Sequence, residues 1–132
     1  LHAKGYFTAD QLKGVYAGGV RRVLQKSKPR RDQPYQTMQL IQWNWFADSG
    51  LLRFEDDRLA IDYRQYPKAV DSLLKEVLSI QRAGDRAAAN AFIDRWTVWD
   101  EERHGAVARR MRDDESFRFT LVTYEALGDP AP

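Results

Sequence analysis

Two titratable side chains near the C-terminal end of the chain have the spacing of metal ligands. Glu101 and His104 are three residues apart and share one face if the segment is helical. Metal centres in helical bundles do use a Glu-x-x-His pair, but they need it twice, together with two further glutamates. The chain has only two histidines, and the other is His2, close to the N-terminus. We therefore favour a solvated acid and imidazole near a helix surface and expect no metal site in this chain.

The sequence contains none of the common motifs for a nucleophile or a phosphate loop. The five serines lie outside any Gly-x-Ser-x-Gly frame, and Gly18 and Gly19 fall within a helical pattern instead of following a strand. Cysteine is absent, which excludes disulfides, thiolate zinc sites and cysteine nucleophiles. No catalytic residue is assigned, and an independent enzyme that uses Glu101, Glu102 and His104 is the least favoured hypothesis.

Positive charge is concentrated near the N-terminus. Residues 1–31 hold eight lysines and arginines against one acid, although the net charge of the whole chain is only +2. Such a segment can bind nucleic acid, or it can meet an acidic face within a larger assembly. The side chains that could contact phosphates are Arg21, Arg22, Arg30 and Arg31. Nucleic acid remains the less favoured partner because no recognised motif for reading bases accompanies them.

Uncharged polar side chains alternate with apolar ones between residues 34 and 48. These side chains are Gln36, Gln39, Gln42 and Asn44. They could line a cleft or satisfy buried backbone groups, and the sequence favours the two interpretations equally. Among the four tryptophans, Trp45 and Trp96 lie on apolar stripes and are expected in the core, whereas Trp43 and Trp99 are the better candidates for a surface role.

The elements that must position these residues are mainly helical. Thr8 and Gln11 form a capping box that predicts a helix over 8–26, in which Gly18 and Gly19 indicate close approach by another element. A helix over 34–48 is apolar around most of its circumference, so we expect it to be central and the most buried. Alternating apolar residues predict one short β-hairpin over about 51–63.

Three further helices are predicted in the second half of the chain. The first begins at Pro67, carries the clearest amphipathic stripe and ends at Gly84, and Asp85 caps the next. A last helix covers about 100–112. The alternation that follows, around Phe117 to Tyr124, is typical of an extended C-terminal arm. The expected fold is therefore mainly α, with about five helices around a central apolar helix, in a single domain over 1–132.

Four segments resemble, in order and spacing, the C-terminal part of bacterial zinc hydrolases of the dipeptidyl peptidase III family. They are Gln39 to Gly50 (QLIQWNWFADSG), Asp57 to Asp62 (DRLAID), Ala69 to Asp85 (AVDSLLKEVLSIQRAGD) and Ala91 to Trp96 (AFIDRW). The resemblance covers about residues 8 to 112, and its strongest part runs from Leu73 to Asp85.

Several expectations follow from that resemblance. Family members are two-lobed metallopeptidases that remove dipeptides from peptide N-termini, with zinc held by an HExxGH helix and a glutamate on a following helix. Neither motif occurs here, so the resemblance implies a C-terminal fragment whose parent binds the zinc. Related peptidases place a substrate-facing histidine and arginine on the helix that corresponds to 35–46. The approximate matches here are Tyr35 and Gln39, which join Gln42 and Asn44 as candidates for lining a substrate cleft.

The resulting hypothesis is a non-catalytic helical portion that completes the zinc-bearing lobe of a larger hydrolase and forms one wall of its cleft. It requires no cofactor in this chain, and its partners are the remainder of the parent polypeptide and a peptide substrate. The alternative is an independent binding module whose basic loop, Arg21 to Arg31, recognises nucleic acid or an acidic protein. No membrane-spanning run or secretory signal is present in the sequence, and the expected location is the cytoplasm.

Overall fold

The computed structural model describes residues 5–26, 32–55 and 58–114. In these ranges the chain is mainly α-helical, as the sequence predicts, with one antiparallel pair of strands. The helices are α1 (Ala9–Lys26), α2 (Pro34–Asp48), α3 (Tyr66–Ala83), α4 (Arg86–Trp96) and α5 (Ala106–Asp113). The strands are β1 (Leu52–Glu55) and β2 (Arg58–Ile61). The predicted C-terminal arm lies outside the described residues.

Helix α2 is the centre of the fold, as its apolar circumference predicts. It contacts α1, α3, α4 and β1, and Leu40 and Trp43 are fully buried. The hydrophobic core around it consists of Val20, Val23, Leu24, Trp43, Phe46, Leu51, Leu52, Ala69 and Met111. The indole N–H of Trp45 donates to the Ser72 hydroxyl at 3.0 Å, which joins α2 to α3. The expectation of a surface role for Trp43 is therefore wrong.

Polar side chains define the beginnings of α1 and α4. The Thr8 amide donates to Gln11 Oε1 at 2.8 Å, and the Gln11 amide donates to Thr8 Oγ1 at 3.2 Å, which confirms the predicted capping box. Gly84 ends α3 in the left-handed conformation, with φ at 65°. The Asp85 carboxylate then accepts hydrogen bonds from the first amides of α4, as predicted.

The hairpin forms where it is predicted, with somewhat shorter strands. Leu52 pairs with Ile61 and Phe54 pairs with Leu59. A 3-10 turn over Tyr63–Gln65 connects β2 to α3, so Tyr63 lies beyond the hairpin instead of within its second strand. The partly buried side chains of Phe54, Leu59 and Ile61 pack against the helical core. That packing stabilises a pair of strands that would be marginal by itself.

The amphipathic stripe of α3 is less buried than its pattern predicts. Leu74 is 54% exposed, Leu78 is 39% exposed and Val70 is 37% exposed. These three residues are spaced four apart, so they form a continuous apolar row, which we call the α3 stripe. The reason is geometric: α3 packs on α2 and α4 through a narrower face that includes the buried Ala69.

The start of the last helix also departs from the sequence prediction. Residues Glu101–Gly105 form a π-helical turn that precedes α5, in place of one uninterrupted α-helix. The Asp100 carboxylate caps this turn by accepting from the amides of Glu102 and Arg103, at 3.0 and 3.1 Å. The wider turn sets the position of His104, which is 7% exposed.

Gly19 is the point of close approach that the glycines of α1 predict. A methyl group there would collide with the Tyr66 side chain, whereas nothing lies within 4 Å of such a group at Gly14 or Gly18. The Tyr66 ring stacks on Tyr16, with centroids 4.5 Å apart, and it also contacts Phe46. The aromatic ring is thus held on two sides and has little freedom to withdraw.

We expect Gly19→Ala to lower the free energy of unfolding by about 1 kcal/mol. Overpacking costs ~1–3 kcal/mol and outweighs the ~1 kcal/mol that alanine contributes to helix propensity. Gly14→Ala, on the same helix, is the matched control and should raise stability by up to about 1 kcal/mol. Urea denaturation followed by circular dichroism measures both. Equal stabilisation by the two substitutions would show that Tyr66 does not restrict Gly19.

Candidate functional site

A cavity of about 630 Å³ lies between the C-terminal half of α1 and the first two turns of α2. Its volume is within the range of small-molecule sites, roughly 300–1,000 Å³. The lining includes Arg21 and Arg22 from α1 and Tyr35, Gln36 and Gln39 from α2. We call it the α1–α2 cavity.

The described side chains that line the α1–α2 cavity include cations, amides and a phenol, and none of them is acidic. Arg22 is exposed, Arg21 is half-buried, and the Tyr35 side chain at the first turn of α2 is 75% exposed. The two guanidinium groups are cations that carry only hydrogen-bond donors. The local electrostatics therefore favour a negatively charged group.

Gln39 is the most buried polar residue of this cavity, with 5% of its surface exposed. Its Oε1 atom is buried and accepts no hydrogen bond from the described residues, and the same is true of Gln36 Oε1. An unsatisfied buried acceptor costs roughly 1–3 kcal/mol relative to a paired one. Two such acceptors, one helical turn apart, therefore each have room for a hydrogen bond from an added N–H donor.

A second polar cluster joins α2 to the segment between α4 and α5. The Asn44 side-chain amide donates to the backbone oxygens of Trp96 and Val98, at 2.9 and 2.8 Å. Its Oδ1 lies 2.8 Å from His104 Nε2. The His104 ring contacts both Trp43 and Trp99, with centroid distances of 4.7 and 5.2 Å. We call this group the Asn44–His104 junction.

The hydrogen bonds of the Asn44–His104 junction define the tautomer of His104. The Asn44 amide nitrogen donates to two backbone oxygens, so Oδ1 faces His104 and must accept from a protonated Nε2. Nδ1 lies 3.0 Å from the Asp100 amide nitrogen and 3.2 Å from the Asp100 oxygen, and in the neutral ring it accepts from that amide. Burial lowers the pKa of His104 below its usual 6.5, and the neighbouring Arg103 lowers it further. The backbone oxygen and the charge of Asp100 raise it, without reversing the net direction.

Glu101 lies beside this junction and is engaged with neighbouring side chains. Its carboxylate accepts from the Trp99 indole N–H at 2.6 Å and pairs with Arg109. These two hydrogen bonds, that of Trp99 first, hold the pKa of Glu101 below its ordinary value. Within the described ranges, no group of three or more histidine, aspartate or glutamate side chains is arranged to hold a metal ion. Glu101 and His104 therefore form their hydrogen bonds with different neighbouring residues.

The chain is similar to Nudix hydrolase 3 of Arabidopsis thaliana, to which it is 25% identical over 97 residues. The match covers 73% of the chain and only 13% of the relative. No protein-family model matches the chain, and no solved structure shows significant similarity to it.

The comparison corrects the family predicted from the sequence motifs. The relative that it finds is named as a Nudix hydrolase, and nothing in it supports a dipeptidyl peptidase III-like zinc hydrolase. The segments from Gln39 to Trp96 that carried the resemblance are therefore insufficient to assign a metallopeptidase. The expectations of zinc in the parent and of a dipeptide-releasing activity lose their basis with it. The chain is similar to a protein named as a hydrolase, and this similarity does not specify a substrate.

The structure brings together some of the predicted site residues and separates others. Tyr35 and Gln39, proposed from the sequence for a cleft, line the α1–α2 cavity. Arg21 and Arg22, proposed for a basic surface, line the same cavity. Of the other two cleft candidates, Gln42 is half-buried elsewhere on α2, and Asn44 belongs to the Asn44–His104 junction. The remaining basic candidates, Arg30 and Arg31, lie outside the described residues, so nucleic-acid binding by the basic loop stays a prediction.

Three participants are not among the final site candidates that the sequence predicts. Gln36 belongs to the polar strip of α2 that the sequence indicates for a cleft, but the four named cleft candidates do not include it. The burial of His104 has no local signal, because its partner, Asn44, is 60 residues away. The N-cap role of Asp100 could have been predicted, since an aspartate followed by two glutamates is a common helix start.

In the described part of the chain, no helix is both long and apolar enough to cross a membrane.

Proposed function

We propose that this chain is a helical, non-catalytic portion of a larger hydrolase and that it joins the remainder of that protein through the α3 stripe. The observation that carries the proposal is the exposure of Val70, Leu74 and Leu78 in one row on α3. An exposed apolar row of this kind is typical of a surface that meets another part of a protein. The hydrolase assignment is supported by the name of the relative, of which the chain spans 13%.

The non-catalytic part of the proposal is supported by the hydrogen bonding of the residues considered for catalysis. Both ring nitrogens of His104 have protein partners, and the Glu101 carboxylate is shared between Trp99 and Arg109. A general base needs an accessible lone pair within hydrogen-bond reach of its substrate. We expect the purified chain to have no hydrolytic activity of its own. Measurable hydrolysis by the purified chain that is lost in Glu101→Gln or His104→Gln would contradict this prediction.

Chemical labelling tests the proposed contact of the α3 stripe, because the chain contains no cysteine of its own. In the isolated chain, Leu74→Cys should react rapidly with N-ethylmaleimide, since residue 74 is 54% exposed. In the longer polypeptide encoded by the same reading frame, the reaction should slow at least about tenfold, as burial excludes the reagent. Mass spectrometry of the peptide that contains residue 74 gives the rate.

Glu76→Cys is the matched control for this experiment. Glu76 is exposed on the opposite side of α3, so its labelling rate should be the same in both proteins. Equal, rapid labelling of residue 74 in the two proteins would show that the α3 stripe stays uncovered. The absence of any longer reading frame around the chain would also overturn the proposal.

A further inference from the structure

We propose that the α1–α2 cavity binds a small organic anion that also carries N–H donors. Arg22 holds its carboxylate or phosphate, and its N–H groups donate hydrogen bonds to Oε1 of Gln36 and Gln39. This inference goes beyond the proposed function: it depends on the cavity alone and would hold whether or not the chain belongs to a hydrolase.

The anionic part of the ligand follows from the charge of the lining. Arg22 is exposed at the cavity and forms no ion pair within the described part of the chain, and no described lining residue is acidic. A guanidinium group presents paired N–H donors that match the oxygens of a carboxylate or a phosphate. A neutral or cationic ligand would gain no attraction from this charge.

The N–H part of the ligand follows from the two glutamines. Gln39 is 5% exposed, and its buried Oε1 has no donor among the described residues. Gln36 Oε1, one helical turn earlier, is also a buried atom without a donor among the described residues. Buried acceptors in folded proteins are almost always paired, so two unpaired acceptors beside a cavity indicate a missing donor. Amide N–H groups of a peptide or amino groups of a nucleobase supply such donors.

The position of Tyr35 indicates how the remainder of the ligand is accommodated. Its side chain is 75% exposed in the first turn of α2, at the cavity that Arg22 and Gln39 also line. Gly18 contributes no side chain on the opposite wall, where a methyl group at its Cα would have nothing within 4 Å. An aromatic face at one wall and open space at the other leave room for a planar group or a short side chain.

Isothermal titration calorimetry on the purified chain tests the proposal with two pairs of probes. The first pair is adenosine monophosphate and adenosine, and the second is the N-acetylated tripeptide Ala-Ala-Ala and its C-terminal amide. We expect one charged member to bind at about 1 mM or below and its neutral partner to bind at least about tenfold more weakly. The pair that responds identifies phosphate or carboxylate as the anion. Equal binding of the charged and neutral members, or no binding by any probe, would overturn the proposal.

Inorganic phosphate tests the contribution of the N–H donors. It carries the charge without any N–H group, so it should bind at least about tenfold more weakly than the best organic anion. If it binds equally well, the glutamines contribute nothing and the assignment of the ligand class is wrong.

Substitutions separate a binding role from a structural one. Arg22→Gln should weaken binding at least about tenfold, whereas Arg82→Gln, the same change at an exposed position on α3, should leave it unchanged. Gln39→Leu should weaken binding to a similar extent while raising the midpoint of thermal unfolding, because it removes an unpaired buried acceptor. A residue that only supports the fold would show the opposite, so a lowered midpoint with intact binding would overturn the role given to Gln39.

Discussion

Replacing Asn44 with leucine is expected to lower the free energy of unfolding by about 3 kcal/mol, because the substitution leaves two buried polar groups without partners at ~1–3 kcal/mol each. The His104 Nε2–H loses its acceptor, and the backbone oxygen of Trp96 loses its donor. The Val98 oxygen also loses a donor, but it lies in an exposed hydrogen bond and can turn to water. Leucine has the same branched arrangement of side-chain heavy atoms as asparagine and leaves no cavity, so the loss reflects hydrogen bonding more than lost packing.

Urea denaturation followed by tryptophan fluorescence measures this loss. Gln42→Leu is the control, since Gln42 is half-buried two residues earlier on α2 and takes no part in the Asn44–His104 junction. It should change stability by no more than about 0.5 kcal/mol. If the two substitutions have equal effects, the hydrogen bonds of Asn44 are not what stabilises the contact between α2 and the segment that follows α4.

The elements of this fold were predictable because their signals are local. A capping box begins α1, a proline begins α2, and Gly84 followed by Asp85 separates α3 from α4. Each signal requires only a few neighbouring residues to be in the right order. The π-helical turn at Glu101–Gly105 has no comparable local signal, and it follows from the capping by Asp100 together with the contacts of His104.

The sequence predicts individual residues of the candidate site but not how they come together. The sequence indicates a cleft role for Tyr35 and Gln39 and a basic surface for Arg22, but their common cavity depends on how α1 packs against α2. Sequence periodicity identifies the face of a helix and carries no information about the crossing angle or register of its partner. The same limit explains Trp43, which belongs to the most buried face of α2 because helices on several sides surround it.

The Asn44–His104 junction also makes the stability of the chain depend on pH, through a group that must stay neutral. Burial is the main reason that the pKa of His104 is lowered from 6.5 in the folded state. The unfolded chain therefore binds a proton at a higher pH than the folded chain does. The stabilisation is fully present above about pH 6.5, the unfolded value, and is lost as the pH falls from there toward the lowered pKa of the folded state.

We accordingly expect the free energy of unfolding to fall between about pH 7.5 and about pH 5.5, a window above the titration of most carboxylates. Urea denaturation at several pH values measures the slope. In His104→Gln the slope should flatten, whereas His2→Gln should retain it, and these are the two histidines of the chain.

Asn44→Asp provides a sharper form of the same test. The carboxylate at residue 44 would face Nε2 directly and favour the imidazolium, so the pKa of His104 should rise and the pH dependence should weaken or reverse sign. A slope that is unchanged in both His104→Gln and Asn44→Asp would show that the pH dependence originates elsewhere. A slope that responds to both changes would assign the pH dependence to the hydrogen bond between Asn44 and His104, which joins α2 to the π-helical turn.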